Sequence, residues 1–178
     1  MGTLHVVVGN IVDDKLLRLV DAVVLPTNPM MRCGAGVSGA IFHKAGVNEL
    51  ESYTERRFGI SYFDESRRNE MKPTEVRITP GFALPCDIIF AQGPKAYDYP
   101  DIDTAVEFLL ITYVNIFKTA AEQKWDAILL PALGTGSYGF SHEDTAPHVM
   151  RLLTGLTSEY GITAYLVLSD DKAKGHYR

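Results

Sequence analysis

Five short apolar runs punctuate the chain: Leu4–Val8, Ala22–Leu25, Asp87–Ala91, Ala127–Leu130 and Thr163–Leu168. Each is close to continuous rather than alternating, the pattern of strands covered on both faces in α/β sheets. Glu75–Thr79 alternates instead and stops at Pro80-Gly81, which predicts a strand pairing with 87–91. Between the runs, apolar positions fall at helical spacing. Val106, Leu109, Leu110, Tyr113, Phe117 and Ala120 line one helix face, with Asp101 or Asp103 as the N-cap. Val149, Leu152, Leu153 and Leu156 repeat the pattern up to Gly161, and Pro147 is expected in the first turn of that helix. Val37–Ala45 and Val47–Phe58 predict two more helices, and the polar stretch 59–74 predicts a surface excursion. The alternation gives a three-layer α/β/α sandwich around a mixed, mostly parallel sheet, read as one domain over residues 1–178.

Composition changes this picture little. Hydrophobic residues make up 46% and charged residues 22%, ordinary for a globular protein. The net charge of −5 argues against the basic footprint that general nucleic-acid binding needs, and reads Arg56-Arg57 and Arg67-Arg68 as solvated surface. Cys33 and Cys86 suggest no disulfide framework, and neither has a partner at metal-ligand spacing. The start of the chain, Met1-Gly2-Thr3-Leu4-His5, lacks the features of a signal peptide, and no uninterrupted apolar run approaches the ~20 residues of a membrane span. The expected compartment is the cytoplasm.

Two glycine-rich stretches alter the picture most. Cys33-Gly34-Ala35-Gly36-Val37-Ser38-Gly39 follows the run that ends at Pro26, and Gly134-Thr135-Gly136-Ser137-Tyr138-Gly139 follows the run that ends at Pro131. Loops of this kind at the ends of two strands can present bare backbone N–H groups to one ligand. A diphosphate, with many acceptors and negative charge, uses such a cradle best. The first strand lacks a following glycine loop and a later acidic ribose ligand, which disfavours a dinucleotide-binding dehydrogenase. No serine nucleophile elbow occurs. Among the histidines, His142 lies nearest to the second loop in sequence and is the one general-base candidate worth testing.

Gly9-Asn10-Ile11, Asp21 to Asn28, Gly36 to Ile41, Gly81 to Pro94 and Leu130 to Phe140, in this order and spacing, closely resemble the macrodomain family, which binds ADP-ribose. The resemblance spans Leu4 to Leu168. It implies that Asn10 and Ile11 meet the adenine, with Asn10 standing where the family's aspartate accepts from the amino group. It implies that Asn28 contacts the distal ribose and is the catalytic candidate. Gly34, Gly36, Val37 and Ser38 match the first phosphate loop, and Gly134, Thr135, Gly136, Ser137 and Tyr138 the second, with Tyr138 and Phe140 as a possible wall for the ribose. Ser38 stands where hydrolytic members carry an aspartate, and serine is no useful acid or base near neutral pH. No aromatic follows the last strand to stack on adenine; Tyr177 in the tail is the nearest substitute.

The implied partner is ADP-ribose or an ADP-ribosylated protein, with no cofactor, no metal, no membrane and no nucleic acid. Two alternatives stay open. One is a hydrolase acting on protein mono-ADP-ribose, ADP-ribose 1''-phosphate or O-acetyl-ADP-ribose; the other, which the acidic balance disfavours, is an RNA- or poly(A)-binding module.

Overall fold

The central element is a six-stranded sheet in the order β1-β6-β5-β2-β4-β3, seen in a computed structural model that describes all 178 residues. The strands are β1 Leu4–Val8, β2 Ala22–Pro26, β3 Val76–Thr79, β4 Asp87–Ala91, β5 Ala127–Pro131 and β6 Thr163–Leu168. Every pairing is parallel except β3 with β4, so the sheet is mixed and mostly parallel, as expected. The strand predictions hold to within one residue at each end.

Helices cover both faces. They are α1 Asp14–Leu17, α2 Gly36–Ala45, α3 Val47–Phe58, α4 Ile102–Glu122, α5 His142–Tyr160 and α6 Asp171–Lys174. Successive strand residues explain the continuous apolarity of the runs. Ala22 and Val24 of β2 join the core under α4 and α5, while Val23 and Leu25 join the core under α2 and α3. Ile89 and Ala91 of β4 face the first core, Ile88 and Phe90 the second. Such a strand has no polar face to offer, which is the signature of a parallel sheet buried on both sides.

Two expectations need correction, and helix α4 adds a third observation. Helix α5 starts at His142, not near Pro147. Ser141 caps it, its Oγ accepting from the Asp144 N–H at 3.1 Å, while the Thr145 Oγ1 donates back to the Ser141 carbonyl at 2.8 Å. Pro147 then removes only one backbone bond in the second turn, which this reinforced start tolerates. Stretch 59–74 is not purely surface: Ile60 and Met71 are buried, and Ile60 bridges antiparallel to Arg68. Finally, α4 has the length and apolarity to cross a membrane, at a mean hydropathy of 1.2. Here Leu109, Tyr113, Ile116 and Phe117 bury its inner face against the sheet.

The two ends of the sheet differ. At the amino ends of the strands, Asp21 stitches β2, β4 and β5 together. Its carboxylate accepts from the Asp126 and Ala127 N–H groups at 2.8 and 3.1 Å, and its carbonyl from Asp87 at 3.0 Å. At the carboxyl ends, β2 and β5 part company. Their ladder holds only Ala22 with Ile128 and Val23 with Leu129, whereas β2 stays paired to β4 up to Pro26 and β5 to β6 up to Pro131. Both strands end on a proline, which has no N–H to close the gap.

Candidate functional site

The β2–β5 ladder stops short of the carboxyl ends of the sheet, which is where a ligand crevice usually lies in a doubly wound architecture. Both glycine loops leave from its edges. The first passes from Thr27 to Ala35 and enters α2; the second runs from Ala132 to the Ser141 cap of α5.

In the first loop, Asn28 holds its own backbone in shape. Its amide oxygen accepts from the Met30 and Arg32 N–H groups, each at 3.1 Å, and its Nδ2 donates to the Arg32 carbonyl at 2.8 Å. One amide hydrogen of Asn28 is left for a ligand. Arg32 anchors the loop to α3, 2.6 Å from Glu55 and 3.5 Å from Glu51, and Glu51 also accepts from the Cys33 N–H at 2.9 Å. Burial and the neighbouring Glu51 push the Cys33 thiol up, so it supplies no thiolate nucleophile near neutral pH. The loop also touches itself closely. A Cβ on Gly39 would collide with the Gly34 carbonyl oxygen, so only glycine lets the turn lie flat on α2.

Helix α2 begins without a side-chain cap, since its N-cap is Ala35. The backbone N–H groups of Gly36, Val37 and Ser38 have no protein acceptor. The Ser38 hydroxyl behind them is buried and is the one such side-chain atom without a hydrogen-bond partner. It lies against Gly34: a Cβ built there would be 3.6 Å from the Ser38 Oγ and 3.9 Å from the Asn28 Nδ2. Orphaned donors at a helix N-terminus, beside an orphaned hydroxyl, form an anion-receptive corner.

The second loop has the same kind of backbone. Gly134 takes a φ of +78°, and a Cβ there would come within 2.6 Å of the Phe140 ring. The loop closes on itself through Phe140 N–H to the Gly134 carbonyl at 3.0 Å and Gly139 N–H to the Gly136 carbonyl at 3.2 Å. The N–H groups of Thr135, Gly136, Ser137 and Tyr138 are left without acceptors. The Thr135 hydroxyl is taken, donating to the Ala132 carbonyl at 2.8 Å. Gly136 faces open space. Tyr138 crosses the crevice, its hydroxyl 3.3 Å from the Thr27 carbonyl and 3.1 Å from the Gln92 Nε2, and Lys95 lies over its ring. Phe140 is packed beneath the loop and presents no wall to a ligand. Neither Thr27–Gly39 nor Ala132–Phe140 contains a carboxylate side chain.

The remaining expected residues fall at the far end, beside β1. Asn10 caps its own turn, its Oδ1 accepting from the Val12 N–H at 3.1 Å. That bond uses one of the two lone pairs of the amide oxygen. The Ile11 side chain is in the core, which leaves only its backbone to a ligand. Tyr177 is not free to stack: it is 4% exposed, and its hydroxyl meets the His142 Nδ1 at 2.7 Å. The same contact occupies His142, and burial, with His176 beside it, holds that imidazole below its usual value against the pull of Asp170. Two surface hollows lie elsewhere. One, of about 580 Å³, is on α3 around Ser52, Arg56 and Phe82; the other, of about 400 Å³, is between α4 and α5 around Leu110 and Arg151.

Sequence reasoning missed Gln92, Lys95 and Arg32. Gln92 was inside the resembling stretch, but nothing marked it as the partner of Tyr138, because that contact joins residues far apart in the chain.

Comparison with known proteins agrees with this geometry. Residues 24–149 match the model of the Macro domain family. The chain is 28% identical over 142 residues to an O-acetyl-ADP-ribose deacetylase of Klebsiella pneumoniae, covering 79% of this chain and 75% of that protein. It is similar to a macrodomain of Oceanobacillus iheyensis solved with ADP, at 29% identity and a TM-score of 0.85 over 99% of this chain and 88% of the other. A variant of that macrodomain solved with ADP-ribose gives a TM-score of 0.83 at the same identity, over 99% and 90%. This chain belongs to the macro domain family.

Proposed function

We propose that this chain binds ADP-ribose, free or attached to protein, in the crevice between β2 and β5, and that it acts as a reader of the modification rather than an eraser. One observation supports this most: two sets of unpartnered backbone N–H groups, Gly36 to Ser38 and Thr135 to Tyr138, lie at the open ends of these two parted strands. A diphosphate between them satisfies donors from both loops and gains from the α2 dipole. The Ser38 hydroxyl and the remaining Asn28 N–H then face the sugar beyond it, and the Asn10–Ile11 turn faces the base.

The relative named as a deacetylase favours a second reading, ester hydrolysis in the same crevice. The local chemistry argues against it. Asn28 offers a donor and no basic atom, Ser38 has no base beside it, His142 is bound to Tyr177, and neither loop holds a carboxylate. General-base activation of water needs a group with a pKa near the working pH within hydrogen-bond reach.

Two assays together test the proposal. Calorimetric titration is expected to give a saturable heat with ADP-ribose. Incubation with O-acetyl-ADP-ribose, and with a mono-ADP-ribosylated protein, is expected to release neither acetate nor label above the uncatalysed rate. Catalysed release in either would replace the reader with a hydrolase.

A further inference from the structure

The stretch 60–68 forms a small hairpin that the binding site does not use. Ile60 bridges Arg68, and the Ser61 N–H donates to the Arg67 carbonyl at 2.7 Å. Its tip carries Phe63, which is 97% exposed. A single exposed apolar side chain is ordinary, but this one has basic company. Arg67 and Arg68 are exposed on the return arm, with Arg56 and Arg57 on the last turn of α3, and none of the four is ion-paired. The guanidinium of Arg68 reaches the Tyr62 carbonyl at 3.4 Å, and that of Arg67 the Glu55 carbonyl at 3.3 Å, so both are held at the hairpin. The nearby acids are partly engaged. Asp64 accepts from the Ser66 N–H and hydroxyl at 3.0 and 2.6 Å and Glu55 pairs with Arg32, while Glu65 and Glu70 are exposed and unpaired, so four arginines stand over three uncompensated carboxylates.

The hairpin is also fastened to the first glycine loop. Arg32 lies 5.0 Å from the centre of the Tyr62 ring, and the Met71 N–H donates to the Pro29 carbonyl at 2.7 Å. A chain leaving a ligand seated at this loop has the hairpin as a neighbouring surface.

We propose that the 60–68 hairpin, with Phe63 as its anchor and Arg67 and Arg68 beside it, docks an acidic polypeptide segment flanking the ADP-ribosylated residue. This rests on the ADP-ribose reading of the crevice. Aromatic and arginine side chains together are the usual anchors of protein interfaces, and unpaired guanidinium groups on a chain of net charge −5 select an acidic partner. Single-stranded nucleic acid fits less well. It needs successive aromatic faces along a positive groove, and here Arg32 covers one face of Tyr62 and the acidic pair Asp64-Glu65 directly follows Phe63.

The test is a binding series with four probes and a single-stranded oligonucleotide as competitor: the probes are free ADP-ribose, an ADP-ribosylated peptide with acidic flanks, the same peptide with neutral flanks, and the unmodified acidic peptide. The proteins are wild type, Phe63→Ala, and a Phe63→Ala/Arg67→Ala/Arg68→Ala variant. The wild type is expected to bind the acidic modified peptide about tenfold tighter than free ADP-ribose, an advantage that shrinks with added salt. Both variants are expected to lose much of that advantage while binding free ADP-ribose as the wild type does. Equal binding of the acidic and neutral peptides by wild type overturns the proposal. So does a preference that survives in the triple variant, or an oligonucleotide that outcompetes the acidic peptide at the hairpin. If free ADP-ribose binds no form, the reading of the crevice fails instead, and weak binding of the unmodified acidic peptide that the variants abolish still reports the hairpin.

Discussion

The Tyr138 hydroxyl lies 3.3 Å from the Thr27 carbonyl, joining the loop after β5 to the end of β2 where the two strands have ceased to pair. Gln92, 3% exposed at the end of β4, completes the junction from below. A side chain thus does at this point what backbone hydrogen bonds do lower in the sheet, and it sets how far the crevice opens.

Tyr138→Phe should therefore loosen the site without dismantling the fold. It leaves the buried Gln92 amide short of a partner, which should lower stability by about 1 kcal/mol. ADP-ribose affinity should fall several-fold as the second loop gains freedom. Chemical denaturation and calorimetry on the same preparation read both; unchanged values in each would show that the contact is incidental.

Ser38→Ala separates folding from binding. The Ser38 hydroxyl has no partner within the protein, so removing it should leave the denaturation midpoint unchanged or slightly raised. If that hydroxyl bonds the ligand, affinity for ADP-ribose should nonetheless drop by about three- to tenfold. A marked loss of stability would mean that Ser38 has a structural partner after all.

Gly39→Ala probes how closely the first loop lies on α2. The added methyl meets the Gly34 carbonyl, so the turn must lift. A cost of about 1–3 kcal/mol is expected, with weakened ADP-ribose binding because the Gly36 to Ser38 N–H groups shift together. Protein that is fully stable and binds normally would contradict the packing described.

Acid should weaken the seat of the C-terminal tail. In the folded chain, burial and then His176 hold the His142 imidazole below its ordinary value of 6.5, with Asp170 opposing them. The unfolded chain therefore takes up the proton first. Stability present above pH 6.5 is lost as pH falls through 6.5 towards the folded value. Hydrogen exchange in α6 and around Tyr177 should rise over that window, and His142→Gln should flatten the change. An equal pH slope in the variant would remove His142 from the account.

Much of this molecule was legible in the sequence because its strands are buried on both faces. Ala22–Leu25 and Ala127–Leu130 have no polar side, and α4 carries a regular apolar stripe. What escaped depended on contacts between distant residues or on local chemistry that outweighs a general rule. Pro147 argued for a late helix start, yet the Ser141 and Thr145 bonds carry α5 through it. Ile60 and Met71 looked like isolated apolar residues in a polar stretch, and both reach the core. The Tyr177 ring was the candidate to stack on adenine, but it is buried and its hydroxyl meets His142. The divergence of β2 from β5 left only the terminal prolines Pro26 and Pro131 as a mark, since pairing register is not written in composition.

The central claim is that the two glycine loops together cradle a diphosphate, and Gly136 tests it most directly. A Cβ there meets nothing within 4 Å, so Gly136→Glu should fold normally while its carboxylate fills the cradle and repels phosphate. Calorimetric titration with ADP-ribose should give saturable binding to the wild type and no measurable binding to this variant. Equal affinity in the two, with matching thermal unfolding, would contradict the account.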